Sequence, residues 1–533
     1  MLKLFRIIAA SVFFTALTVL FLDFSETVPT SWHGFAHTQI VPAMTACPVI
    51  VLGFWLIITL LFGRLYCSTV CPCGFLQDII ARAGTLVFGI KKRFRYRSPM
   101  TKTRSGFLLV FIAGCAAFPL IVSLLDPYSN YGRIITSLVR PVYLGGNNFI
   151  AWFSGGHNSY LQFKAVPFWG SAFGVAVFFL FLAGILSFLY GRRYCNIICP
   201  VGTLLGLLSR FSFFRIRIKS GCLSCGLCEK TCKGECIDSK AKTVDASRCV
   251  TCFNCLGVCK KNSIAFTTSI SGVPPISSAK TDVPAPLTAV IRPVQTSALP
   301  LRRTFFQWSI VSLGLSAIFN SAQRAAANTD AAGLPTGTSR IGFKRTQPVL
   351  PPGAVNRRRY HRTCTACHLC VAKCPANVLV PATTELGLAG FLQPVMKFDN
   401  GFCNFDCTIC AEVCPAHALR IESKAAKHQL QTGRVIFLKE NCVVHTQGTN
   451  CGACAEHCPT SAVTMRQYGD DVSLTIPETD ADLCVGCGAC ERICPVKPFK
   501  AIYVDGLETQ GKAKQAYDPN EKQKETEIND FGF

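Results

Sequence analysis

Cys364-Thr365-Ala366-Cys367-His368-Leu369-Cys370-Val371-Ala372-Lys373-Cys374-Pro375 spaces four cysteines as C-x2-C-x2-C-x3-C and closes with a proline. Three thiolates on one tight loop can hold three irons of a cubane, while the fourth, one helical turn on, reaches a second cluster. Five further quartets follow this logic: Cys222, Cys225, Cys228, Cys232; Cys249, Cys252, Cys255, Cys259; Cys403, Cys407, Cys410, Cys414; Cys442, Cys451, Cys454, Cys458; and Cys484, Cys487, Cys490, Cys494. Six [4Fe–4S] clusters are the expectation. Disulfide frameworks belong to short secreted domains and zinc sites favour paired knuckles, so neither explains 32 cysteines in this order.

The chain has 533 residues, 50% of them hydrophobic, and a mean hydropathy of +0.34. It is too long for one domain and too apolar for an ordinary soluble protein. Apolar runs near 5–24, 46–62, 105–125 and 166–190 are long enough to cross a bilayer, which predicts a membrane α-helical bundle of four helices within residues 1–215. Lys3, Arg6, the basic stretch 91–104 and Arg192, Arg193, Arg210, Arg215 and Arg217 fall on one side; Asp23, Glu26, His33, His37 and Asp126 fall on the other. The positive-inside rule makes the basic side cytoplasmic. The formal charge of +24 falls to about +12 once each cluster with its thiolates contributes roughly −2. What remains lies beside the membrane and reads as topology and anionic lipid rather than nucleic-acid binding.

An internal repeat marks two cytoplasmic helix ends. Gly63-Arg64-Leu65-Tyr66-Cys67-x3-Cys71-Pro72-Cys73-Gly74 matches Gly191-Arg192-Arg193-Tyr194-Cys195-x3-Cys199-Pro200-Val201-Gly202. Within each turn the two cysteines lie four apart and share a helical face. If the helix pairs pack about a pseudo-twofold, Cys67, Cys71, Cys195 and Cys199 converge as an additional metal or redox centre. A redox disulfide and purely structural thiols are the other readings. Cys73 has no mate in the repeat, and Cys47, Cys115 and Cys236 read as packing or spare thiols.

Residues 216–265 read as a cytoplasmic α+β module with two clusters, in which Cys222, Cys225 and Cys228 pair with Cys259, and Cys249, Cys252 and Cys255 with Cys232. Residues 266–300 read as a disordered linker. At 301–327, Arg302 and Arg303 open an internal twin-arginine translocation signal whose apolar stretch, 304–319, is a fifth, tethering helix. A plain fifth span with charge-rule arginines is the alternative. Either sends the remainder across the membrane: a second linker at 328–356, a four-cluster module at 357–505, and a polar tail at 506–533. In that module the fourth cysteines can exchange between first and second quartets and between third and fourth, or in a nested pattern of first with fourth and second with third. The nested pattern is preferred because it pairs the regular quartets with each other. His33, His37 and Gln39 are candidate groups for a quinone site near the outer face.

Residues 1 to about 265 resemble the NapH family of membrane ferredoxin-type proteins, on the four apolar runs, the two C-x3-C-P turns, Gln39-x2-Pro42 and the two-cluster domain. Residues 301 to about 505 resemble the NapG and MauM family of exported ferredoxins, on the twin-arginine segment and the long third quartet Cys442-x8-Cys451. The resemblance implies a multi-pass bacterial inner-membrane protein with 216–300 cytoplasmic and 328–533 periplasmic. It further implies electron transfer from quinol, or from a cytoplasmic donor, to a periplasmic reductase or c-type cytochrome in anaerobic respiration. Beyond quinol oxidation no catalytic constellation is visible. The rival expectation is a redox maturation factor for a periplasmic metalloenzyme.

Overall fold

The computed structural model describes residues 1–23, 27–46, 49–87, 94–153, 166–268, 341–469 and 471–514. The twin-arginine signal with Arg302 and Arg303, the tethering helix at 304–319 and the linker at 269–300 lie outside them, as does Cys47.

The first part is helical: α1 Leu2–Leu22, α2 Val49–Phe62, α3 Pro72–Val87, α4 Thr101–Ala117, α5 Pro119–Leu125, α6 Pro127–Ile134, α7 Gly170–Tyr190 and α8 Pro200–Ser209. Prolines open α3, α5, α6 and α8, where a missing N–H costs nothing. Asp126 caps α6 by accepting from the amides of Tyr128 and Ser129, each at 3.1 Å. Of the four expected spans, α1 and α7 are long and apolar enough to cross a membrane. The run at 46–62 yields the 14-residue α2. The run at 105–125 breaks at Phe118, because Pro119 forces its predecessor out of the helix and starts α5.

Two α+β modules follow. The inner one is framed by the antiparallel pair β1 Phe214–Ile218 and β2 Ile264–Thr268. The outer one contains β3 Leu379–Pro381 paired with β4 Pro394–Met396, β5 Leu430–Phe437 paired with β8 Ile502–Lys512, and β6 Val463–Tyr468 paired with β7 Asp471–Thr479. Its cores are built from cysteines together with Val, Leu and Ile side chains, among them Val371, Leu379, Cys442 and Ile502. Its limits correct the sequence reading at both ends. Residues from 341 belong to the module, since Val349, Leu350 and Ala354 are buried in it. Residues 506–512 complete β8 rather than starting a tail, with Gly506 opposite Gly433. Alternation along that strand is weak, so polarity alone disguised an edge held by backbone pairing.

The modules seat at opposite ends of α1 and α7. At one end of α1, Arg6 pairs at 3.3 Å with Asp78, which also pairs with Lys233 of the inner module at 3.1 Å. At the other end Asp23 pairs with Lys373 of the outer module. Arg6 and Asp23 are 17 positions apart, about 26 Å along a helix. Along α7, Ala172 packs with Ala366 and Leu392 of the outer module, while Arg192, just past its end, takes the Lys233 carbonyl at 3.0 Å. Leu17, Leu20, Phe21, Tyr128 and Tyr131 meet Leu369, Ala372 and Val413 in one apolar cluster that seals the outer junction.

The Asp23 and Lys373 side chains are almost wholly buried, so removing one strands the other. Lys373→Met is expected to destabilise the junction by about 3 kcal/mol and Asp23→Asn/Lys373→Met to recover most of that loss, as read by thermal unfolding and by proteolytic release of residues 341–514.

Candidate iron–sulfur centres

The two repeated turns meet as the pseudo-twofold reading expects, and they interlock. Arg64 of the first turn donates through Nη2 to the carbonyl of Cys195 at 3.0 Å, while Arg192 of the second donates to the carbonyl of Cys67. Each arginine therefore closes the other copy's loop. The motif glycines make room for this. A Cβ at Gly74 would lie 2.3 Å from the Cys67 carbonyl oxygen, and one at Gly202 would lie 2.1 Å from that of Cys195. Gly63 and Gly191, at φ +76° and +71°, turn the chain out of the preceding helices.

Inside this clasp lie Cys67, Cys71, Cys73, Cys195 and Cys199, each 5% exposed or less and all in one cluster. Cys71 has Cys73, Cys195, Cys67 and Cys199 as electrostatic neighbours. Gln77 Nε2 reaches Cys195 Sγ at 3.1 Å and Cys73 Sγ at 3.6 Å. Cys73, unmatched in the repeat, is therefore part of the group. Arg192 is balanced by Asp78 at 2.8 Å. Arg64 is fully buried, and its polar partners among the described residues are Asn196 Oδ1, the Ser247 and Cys195 carbonyls and, at 3.9 Å, Cys67 Sγ. A buried guanidinium without a carboxylate is costly unless negative charge sits nearby. Thiolates holding an iron–sulfur cluster would supply that charge. Both arginines were visible in the G-R-x-Y repeat, and only their reciprocity was not.

The quartets of the two modules show the exchange pattern. Cys364, Cys367, Cys370 and Cys414 line one cavity, and Cys374, Cys403, Cys407 and Cys410 another. Cys442, Cys451 and Cys454 face Cys494, and Cys484, Cys487 and Cys490 face Cys458. First pairs with second and third with fourth, so the nested pattern is wrong. Regularity of spacing reflects loop shape, whereas exchange follows which chain segments share a core. The inner module places Cys249, Cys252 and Cys255 with Cys232, and Cys228 beside Cys222 and Cys225. Cys236 is not a spare thiol: its Sγ lies 3.4 Å from Cys232 Sγ, and that hydrogen bond pulls the Cys232 thiol down.

Four thiols around each cavity suit a [4Fe–4S] cubane, whose irons take cysteine sulfur. Burial pushes Cys364 and Cys487 up to about 12 and Cys484 to about 11, so iron must displace protons that burial alone retains. Lys427, 6% exposed, donates to the Asn404 and Cys407 carbonyls and sets a positive charge beside the second outer set. The outer sets run in series: Cys403 N–H donates to the Cys487 carbonyl at 2.9 Å, and Cys490 neighbours Cys454.

His33 and His37 occupy a short helix, His33–His37, at the outer junction. Burial holds both below the ordinary imidazole range, leaving them neutral near pH 7. His37 approaches the Glu412 carbonyl at 3.4 Å and its ring lies 5.2 Å from that of His417. Gln39 does not share their loop setting. It is fully buried and accepts from Tyr66 Oη at 2.9 Å. The histidines and Gln39 are thus divided between the junction surface and the helical core.

Two families match the chain. A 4Fe-4S dicluster domain covers residues 448–497, and a 4Fe-4S binding domain matches twice, at 46–95 and 171–219, so each copy takes in one C-x3-C-P turn. The ferredoxin-type protein NapG of Escherichia coli K12 is 31% identical over 171 residues, 31% of this chain and 72% of that protein. The ferredoxin-type protein NapF of the same organism is 28% identical over 161 residues, 30% of this chain and 88% of that protein. The methylamine utilization ferredoxin-type protein MauM of Methylobacillus flagellatus is 28% identical over 155 residues, 27% of this chain and 62% of that protein. No solved structure matches.

Because Cys414 closes the first outer set, Cys414→Ser and Cys364→Ser are expected to remove the same component from the reduced EPR spectrum. Cys374→Ser should remove a different one.

Proposed function

From the premise that this chain belongs to the NapG-type ferredoxin family, we propose that it is a membrane-spanning member of it that carries electrons between quinol and an extracytoplasmic acceptor. Iron–sulfur electron transfer is the activity of the modules themselves. The further reading is that α1 and α7 cross the bilayer, the module at 214–268 lies inside and that at 341–514 outside. The bundle joining them is NapH-like, as in a NapGH-like quinol dehydrogenase. The observation that carries it is the seating of the two modules at opposite ends of α1 and α7.

In this reading the clasped cysteines hold a seventh cluster between the modules. Support comes from the buried charge on Arg64 and from the two 4Fe-4S family matches over these turns. On the inner side, Arg192 has both Cys195 and Cys252 as electrostatic neighbours. On the outer side, Arg133 has Cys367, Cys364 and Tyr194 as its neighbours, and Tyr194 has Cys199 and Cys73. Clusters supply one-electron redox chemistry; the residues fix their order, exclude water and balance their charge. In this reading His33 and His37, beside the outer junction, accept the protons released from quinol.

The purified full chain should contain about 28 irons, against about 24 for six clusters. Cys67→Ser/Cys195→Ser should return the count to about 24 without disturbing the ferredoxin signals. Anaerobic titration with a menaquinol analogue tests the substrate. Reduction of the clusters, slowed severalfold in His37→Gln, is the expected result, and no cluster reduced by quinol would exclude a quinol dehydrogenase.

A further inference from the structure

A basic cleft lies where the end of α7 meets the inner module, beside the second turn and the inner cysteine sets but with no cysteine in its lining. Arg97, Arg104, Arg193, Lys233 and Arg248 line it with a single acid, Glu235. Internal ion pairs leave it positive. Arg97 takes Glu235 at 3.6 Å, Arg248 takes Asp245 at 2.6 Å, and Lys233 shares Asp78 with Arg6 and Arg192. Among the described residues the Arg104 guanidinium bonds Ser247, through its hydroxyl and carbonyl, and Arg193 meets the Met100 sulfur and the face of Tyr190. No carboxylate among the described residues pairs with either.

Two donors in the cleft are orphaned. Arg104 and Arg248 are 4% and 5% exposed, and Arg104 Nε and Arg248 Nη2 have no hydrogen-bond partner among the described residues. A buried guanidinium N–H without an acceptor costs on the order of 1–3 kcal/mol, a cost that an anion in the cleft would relieve. Forked guanidiniums converging from several directions match the tetrahedral oxygens of a phosphate better than a planar carboxylate or a small halide. Tyr190 is stacked under both Arg97, at 4.8 Å, and Arg193, at 4.4 Å, which holds the mouth of the cleft open and aligned.

We propose that this cleft binds a phosphate-class anion. Its position suggests one source, since Tyr190 ends the 21-residue apolar α7, the level at which headgroup phosphates lie if that helix spans. A free phosphate is the other. Arg248 precedes the ligand Cys249, and Asn196 of the second turn donates to the Gly234 carbonyl at 3.1 Å across the same cleft. An occupant would therefore brace the inner module against the clasped cysteines.

The test uses the full chain in mild detergent. Fluorescent phosphatidylglycerol is titrated against phosphatidylcholine, and radiolabelled inorganic phosphate is measured by equilibrium dialysis. Each is repeated with Arg97→Gln/Arg193→Gln, two residues outside the buried core, whose visible Fe–S absorbance serves as the folding control. Saturable, phosphatidylglycerol-selective binding that weakens about 30-fold in the variant identifies a lipid headgroup site. The same dependence with inorganic phosphate alone identifies a free-anion site. Binding of neither probe, or binding unchanged in the variant, overturns the proposal.

Discussion

The exchange of arginines between the two repeated turns is the interaction on which the rest of the architecture depends. Arg64 holds the Cys195 loop and Arg192 the Cys67 loop, so each cysteine turn is braced by the other half of the helical part. The same two arginines fasten the inner module, Arg64 through the Ser247 carbonyl and Arg192 through Asp78 and thence Lys233. A fully buried guanidinium is an expensive way to pack two helix pairs. It makes sense where negative charge must be held in a fixed place away from water, and that is the condition a buried cluster would impose.

From that clasp the order of the molecule follows. α1 and α7 rise from it to the outer junction, where Asp23 and Lys373 and an apolar seal seat the first outer cysteine set beside Tyr128 and Arg133. The outer sets then lead away in sequence, each exchanging a fourth cysteine with its neighbour. Exchange couples the folding of adjacent sets, because no cavity closes until two loops are in register. It also makes the order of clusters a property of the backbone rather than of surface docking.

Much of this was legible in the chain itself. The quartets, the repeat and the division into a helical part and two modules rest on spacing and hydropathy, which act locally and survive as pattern. The exchange in the outer module was not legible, because gaps of similar length permit either pairing and only the shared core decides. The roles of Arg64 and Arg192 were half visible: the repeat marked them, but a contact across 131 positions leaves no trace in spacing. Cys73 stood unmatched and Cys236 read as a packing or spare thiol because neither fits a motif, yet Cys73 shares Gln77 with Cys195 and Cys236 Sγ lies 3.4 Å from Cys232 Sγ. Residues 341–356 and 506–512 read as linker and tail because their order comes from partners far along the chain, as with Gly506 opposite Gly433, not from periodicity of their own.

The central claim is electrical continuity from the inner module through the clasped cysteines to the outer one. It is tested most directly in proteoliposomes with the inner module facing the lumen, an entrapped low-potential donor, and a membrane-impermeant cytochrome outside. The account predicts reduction of the external cytochrome by the wild-type chain and its loss in Cys67→Ser/Cys195→Ser, with both modules retaining their own EPR signals. Undiminished transfer in that variant would contradict it.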